Sequence, residues 1–260
     1  MTKSLPFLFI KMGILKELQY RVNFIIQILQ SLISLFVGLF VLALVFDYAT
    51  TLNGWHRPEL LAVLGIQTLI LGVLNTLIQP NMLQMMTDVR EGTLDFVLTK
   101  PTDPQLLVSI REFRIWQLTD VISGTVVLIW AILELKSSLG FMESIIFIIL
   151  LICGGLMIYS FWLILTTASF WIVRMDQLAE LFQGIYQAGR WPVTIYPGWL
   201  RASLTYIVPI AFAVTIPAEA VTLRLTPDTM LLTLFLTVLF MLASRLLFKY
   251  GLRNYSSASS

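Results

Sequence analysis

Residues 60–105, LLAVLGIQTLILGVLNTLIQPNMLQMMTDVREGTLDFVLTKPTDPQ, decide the fold. Leu60 to Ile78 form a run without an ionisable side chain, of the length that a hydrocarbon core of about 30 Å requires at ~1.5 Å rise per residue. Pro80 is expected to end it, because proline lacks the N–H that continues a helix. The polar stretch beyond it, 82–105, is the longest interruption in the first two-thirds of the chain. On a helical register Met82, Met85, Met86, Val89, Thr93, Phe96 and Val97 share one face, and Asp88, Glu91 and Asp95 form an acidic stripe opposite. An amphipathic helix of this kind lies on a surface and offers its polar side to something else. Lys100 and Pro101 are expected to stop it, with Pro104 keeping the next turn extended.

Outward from this stretch, the same pattern repeats. Further apolar runs lie at about Phe24–Phe46, Ile115–Leu133, Ser144–Val173, Ala202–Ile216 and Met230–Leu247, giving six expected spans. The run from Ser144 to Val173 is too long for one perpendicular crossing and too short for two, so it reads as one tilted or protruding helix. Pro209 is expected to kink the fifth span, and Pro217 to end it. Residues 174–201 form a second polar, arginine-bearing connection suited to the headgroup region. At the N-terminus, residues 1–22 carry Phe7, Ile10, Ile14 and Leu18 on one side and Lys11, Lys16 and Arg21 beside them, which predicts an interfacial amphipathic helix rather than a signal peptide.

Composition agrees with this reading. The chain is 58% hydrophobic and 12% charged, about half the charge of a soluble domain. A net charge of +2 with no basic tract gives no footprint for nucleic acid. The single cysteine, Cys153, sits in an apolar run and excludes a disulfide framework. With the N-terminus inside and six spans, 14 lysines and arginines fall on the cytoplasmic side and only Arg57, Lys136 and Arg224 outside. By the positive-inside rule both termini and residues 82–105 are then expected in the cytoplasm of a multi-pass protein of the cell membrane. The Asn-Tyr-Ser triplet at Asn254 carries no meaning on that side.

No stretch matches the phosphate-binding loop G-x-x-x-x-G-K-[ST], so ATP is not expected to bind here by that route, and no enzymatic activity is expected. The second, fourth and fifth spans contain no Asp, Glu, Lys, Arg or His, and Asp120 is the carboxylate well inside a span, read as a polar residue bonded between helices rather than an ion relay. His56, beside Trp55 in a short outer loop, reads as an interfacial residue. Energy is therefore expected to arrive from another chain, and the helix over 82–98 is the suitable receiver.

Two motifs carry a resemblance. The run REGTLDFVLTKPTDPQ, Arg90–Gln105, resembles the segment after the second span in ABC-2 type transporter permeases, and IYPGWLRASLTYIVPIAFAVTIPAEAV, Ile195–Val221, is similar to the Tyr-Pro, Pro-Ile and Pro-Ala pattern of the small stand-alone branch of that family. The resemblance covers nearly the whole chain. It implies an all-α membrane domain over 1–260: six transmembrane helices, the interfacial helix, and a cytoplasmic coupling helix between spans 2 and 3 that docks on an ABC ATP-binding subunit. Arg90, Glu91, Gly92, Thr93 and Leu94 would lie at the contact, flanked by Asp88 and Asp95 and closed by Lys100 and Pro101. ATP and Mg²⁺ would belong to that partner, with no cofactor in this chain and a second permease completing the complex. Export of an amphiphilic or hydrophobic molecule, such as a lipid, glycan-lipid or drug, is the expected activity. A channel or secondary carrier, and a membrane anchor for a cytoplasmic complex, are the readings that the residues leave beside it.

Overall fold

The computed structural model describes residues 21–135, 140–172, 181–182 and 184–255. The interfacial helix expected over 1–22 lies outside them but for its last two residues, which already belong to the first long helix; residues 174–180 and 183 of the polar connection also lie outside. Among the described residues the chain is helical, without a strand beyond the isolated bridge between Leu52 and Trp55. The elements are α1 (Arg21–Tyr48), α2 (Arg57–Glu91), α3 (Asp95–Leu98), α4 (Pro104–Ser109), α5 (Leu118–Leu135), α6 (Phe141–Thr167), α7 (Gly198–Ile207), α8 (Ala211–Val221) and α9 (Pro227–Asn254). Five of the helical stretches are long and apolar enough to cross a membrane: those containing α1, α2, α5, α6 and α9. The helices α7 and α8 reach that length only together, and they are bent by 80° at the break between them.

The central rod is α2. Leu60, Leu61, Ala62, Val63, Ile66, Ile70 and Leu74 are all buried, and α5 lies against it along a glycine seam. A Cβ on Gly65 would come within 2.7 Å of the Leu128 backbone, and one on Gly72 within 2.5 Å of the Val121 backbone. Gly124 of α5 faces the Leu69 backbone in the same way. In lipid the apolar surface of a helix gains little by leaving the solvent, so association rests on close packing, and small residues permit it. The other pair is α6 with α9, where Thr233, Thr237, Ser244 and Gly251 turn inward and the threonine hydroxyls return to carbonyls one turn back. By contrast α1 is exposed over most of its surface, with Ile33, Phe36 and Phe40 facing outward, as a lipid-facing helix should, and its polar residues Gln27, Gln30, Ser31 and Ser34 lie in its N-terminal half.

The prolines correct three expectations. Pro80 does not end the second span: α2 runs through it for 35 residues, to Glu91. A π-helical turn, Leu74–Ile78, precedes Pro80, and the same device, Ser203–Ile207 and Ala211–Thr215, stands two residues before Pro209 and Pro217. A π turn shifts the bonding by one residue, so the missing proline N–H falls where the ladder is already displaced. In an α-helical register Pro80 would have donated to the Thr76 carbonyl. That carbonyl instead accepts the backbone N–H of Arg114 at 3.0 Å. Pro217 is likewise absorbed inside a helix, whereas at Pro209 the chain turns by 80° rather than kinking.

The location of the second polar connection is also corrected. Asn53 Nδ2 donates to the Thr194 carbonyl at 2.7 Å and Trp55 Nε1 to Thr194 Oγ1 at 3.1 Å, so residues around 194 lie at the end of the molecule that holds the α1–α2 loop. Arg201 joins them, donating to the same Thr194 carbonyl at 2.6 Å. This is the end opposite residues 82–109. The arginines misled the side assignment because their charges are satisfied locally: Arg201 by a loop carbonyl, and Arg190 by the Ser34 hydroxyl of α1 at 2.7 Å. The bent α7–α8 pair returns to the same end, where Arg224 donates to Gly54 O and Glu59 Oε2 and lies 5.0 Å over the Trp55 ring.

Candidate functional site: an exposed corner and a polar cleft

The corner is built at the end of α2. Gly92, with φ 72° and ψ 15°, caps it in the left-handed conformation, and the Asp88 carbonyl accepts the N–H groups of Thr93 and Leu94 at 2.9 and 3.3 Å. A residue with a Cβ would be strained there. The chain then turns through α3 and α4. The expected single helix over 82–98 is therefore two pieces, broken at Gly92, and the break re-aims the second piece. Phe96, expected on the buried face with the methionines, is 74% exposed, while Met82, Met85, Met86, Leu94 and Val97 are buried.

Two polar clamps hold this corner. Asn81, fully buried, donates from Nδ2 to the carbonyls of Leu77 and Glu112, and its Oδ1 accepts the N–H groups of Arg111 and Glu112, all between 2.7 and 2.9 Å. Asp88 forms an ion pair with Arg111 and accepts from Gln84 Nε2 at 2.9 Å and Thr93 Oγ1 at 3.2 Å. Of the residues expected at a partner contact, Asp88 and Leu94 are thus turned inward, and Gly92 and Thr93 form the cap. Arg90, Glu91, Lys100 and Pro101 are exposed, and Asp95 is half-buried at the start of α3.

The second half of the corner is wired to other spans. Asp103 caps α4 by accepting from the N–H of Gln105 and Leu106, and it pairs with Arg245 of α9. Arg245 Nη1 also donates to Gln105 Oε1 at 2.8 Å, and the Gln105 amide and the Ser109 hydroxyl meet the Tyr159 hydroxyl of α6 at 3.1 and 2.8 Å. The Arg245 guanidinium holds the Asp103 carboxyl below the usual carboxylate range. Burial, and then the negative charge of Asp95 and Asp88, pushes the Tyr255 phenol up, which sets the end of α9 beside the same corner. Sequence reading missed Phe96, Asp103 and Arg245; the Asp103-Pro104 step, an N-cap followed by a proline at the first helical position, was the available signal for Asp103.

The other feature is a cleft of about 310 Å³ beneath α1, lined by Gln27, Gln30, Ser31 and Ser34 of α1, Gln67, Thr68 and Asn75 of α2, Gln117 and Asp120 beside α5, and Gln187 and Arg190. It starts next to the Thr76–Arg114 bond and runs along α2 as far as Gln67 and Leu64. Ser31 Oγ donates to Asp120 Oδ1 and Arg190 Nη2 to Ser34 Oγ. Asp120 is therefore bonded between helices, as its place in the sequence suggested. Gln67 is 2% exposed, and among the described residues its Nε2 has no hydrogen-bond partner, nor has the buried Oε1 of Gln27.

A helical chain with five or more membrane-length helices, a polar cleft inside the membrane-level region and an exposed corner rigidly tied to three spans defines an integral membrane transport subunit. The family model for ABC-2 family transporter proteins matches residues 32–259. The chain belongs to that family, whose members are the permease component that associates with an ABC ATP-binding subunit rather than the ATPase itself. No significant match was found among curated proteins or among solved structures.

Proposed function

We propose that this chain is the permease subunit of an ABC exporter of amphiphilic molecules in the cell membrane, driven through the corner at residues 90–101 by a separate ATP-binding protein. The observation that carries this reading is the construction of the corner: an exposed surface of Arg90, Glu91, Phe96, Lys100 and Pro101 mounted on polar clamps that lead into α2, α6 and α9. A surface so mounted transmits displacement to three spans at once. Exposed acidic and basic groups around an aromatic anchor suit a protein contact, in which aromatic residues carry much of the binding energy. A second permease completes the path.

Five crossings lie among the described residues in this reading: α1, α2, α5, α6 and α9. Phe170 packs on Tyr255 at the corner end with ring centroids 5.8 Å apart, and Thr194 bonds the α1–α2 loop at the other, so these two residues lie at opposite ends. The α7–α8 pair is then a re-entrant hairpin. Its non-helical bend at Val208 and Pro209 is buried, as irregular backbone at membrane depth must be. With Arg190 and Arg201 removed from the corner side the lysine and arginine bias becomes 12 to 5 and keeps its sign, so the corner and the C-terminus are cytoplasmic. The cleft then begins on the cytoplasmic side, which favours export.

The experiment is co-purification from native membranes, then reversal of Glu91 and Asp95 to arginine. Recovery of an ATPase with the wild type, and its loss with the reversed variant, is the expected result. Recovery of no ATPase, or unchanged assembly and ATPase stimulation after reversal, overturns the reading.

A further inference from the structure

Within the cleft beneath α1, the lining is almost wholly neutral hydrogen-bonding groups, with one carboxylate and one guanidinium. Among the described residues neither Asp120 nor Arg190 has an ion-pair partner; each is met by a serine hydroxyl of α1. Ser31 and Ser34 are three residues apart, so the serines that meet the two groups share one side of α1, about 4.5 Å apart along its axis. A charge at membrane depth is expensive unless compensated. Here each charge meets a hydroxyl and, among the described residues, no opposite charge. The unpartnered Gln67 Nε2, almost completely buried, and the Gln27 Oε1 add a donor and an acceptor without protein partners.

We propose that the cleft binds the headgroup of a zwitterionic amphiphile, its cationic end at Asp120 and its anionic end at Arg190, with Gln67 donating to the anionic part. This rests on the permease reading and names the substrate class within it. The charge pattern selects between headgroups. A purely cationic head would gain Asp120 and meet Arg190 unfavourably, and a purely anionic head would do the reverse. A neutral, hydroxyl-rich head would satisfy the amides and leave both charges desolvated and unpaired, which is costly. A dipolar head satisfies all of them.

The test uses the purified permease–ATPase complex in nanodiscs and four amphiphiles with the same dodecyl tail: dodecylphosphocholine, dodecyltrimethylammonium, dodecyl phosphate and dodecyl maltoside. Two readouts are taken, the concentration for half-maximal ATPase stimulation and protection of a cysteine at Q30C, in a C153A background, from a thiol reagent. Dodecylphosphocholine is expected to act at a concentration about tenfold below the other three, each of which lacks at least one of its two ionic contacts. D120N should abolish its advantage over dodecyl phosphate, and R190Q its advantage over dodecyltrimethylammonium. Such reciprocal shifts are not produced by a structural role. Equal action of all four heads, preference for the maltoside, or a uniform loss across heads in both variants overturns the proposal. Should no ATPase accompany the wild-type chain, the permease reading fails, and the cysteine-protection arm, which needs no ATPase, still decides the headgroup.

Discussion

The Thr76 carbonyl and the Arg114 backbone N–H meet at 3.0 Å, in the gap that Pro80 leaves in the bonding of α2. The loop after α4 is thereby fixed to the helix that precedes the corner, and Asn81, one residue after the proline, fixes it at further points. P80A restores one donor in competition for one carbonyl and leaves the Asn81 clamp intact, so it should change stability by no more than about 1 kcal/mol. N81L strips partners from several buried backbone groups, at roughly 1–3 kcal/mol each. Thermal denaturation in detergent should therefore rank N81L far below P80A; equal midpoints would show that the clamp holds little.

The pair of Asp88 and Arg111 differs in kind from the exposed charges beside it. Its side chains are 7% and 15% exposed. D88N keeps the shape but leaves a buried guanidinium unpaired, which should lower stability by about 3 kcal/mol. E91R, on the surface, should leave the melting midpoint unchanged and weaken assembly with the ATPase. If the two variants behave alike in both assays, the division of the corner into frame and contact is wrong.

Phe96 is the large apolar side chain that the Gly92 break exposes. F96A should weaken binding of the ATP-binding subunit about tenfold or more, the usual loss at an aromatic anchor, with little effect on the fold. Surface plasmon resonance against the recovered ATPase measures it directly. Retained affinity would place the contact elsewhere on the corner.

Asp103 gives the pH dependence. Its folded-state carboxyl lies below the ordinary value because of Arg245, so the stability it contributes is present above about pH 4, the unfolded range, and is lost as pH falls through the folded value. The midpoint difference between wild type and D103N should be constant from about pH 5 to 8 and should shrink only in stronger acid. A difference that varies across neutral pH would mean another group controls the junction of α4 and α9.

The α2–α5 seam can be tested by volume. G124L forces a side chain into the Leu69 backbone and should cost about 1–3 kcal/mol or more, whereas G155A, where a Cβ meets nothing within 4 Å, should be neutral. Equal effects would mean that the seam is not close-packed.

Much of this architecture was legible in the sequence because hydrocarbon thickness imposes a length on every apolar run. Ile115–Leu133 and Ser144–Val173 fall within a few residues of the observed helices. Proline was misread at positions 80 and 217, since a π turn before each lets the helix continue, and nothing in composition announces a π turn. The side of residues 190–201 was misread because a lysine and arginine count cannot see that Arg201 is satisfied by the Thr194 carbonyl of the same connection and Arg190 by the Ser34 hydroxyl of α1. At the corner, the helical register was carried through Gly92; a glycine after a helical run was a stop signal, and heeding it would have exposed Phe96.

The unbroken course of α2 through Pro80 has a mechanical result. Thirty-five residues make a rod of about 52 Å, roughly 20 Å longer than the hydrocarbon core is thick. The corner is thus the overhanging tip of a lever whose other arm is embedded in the membrane. Rocking it by about 10° about the membrane boundary would sweep the tip some 3–4 Å, given that overhang, so a small push at Glu91 is felt along the entire span without slack at a joint.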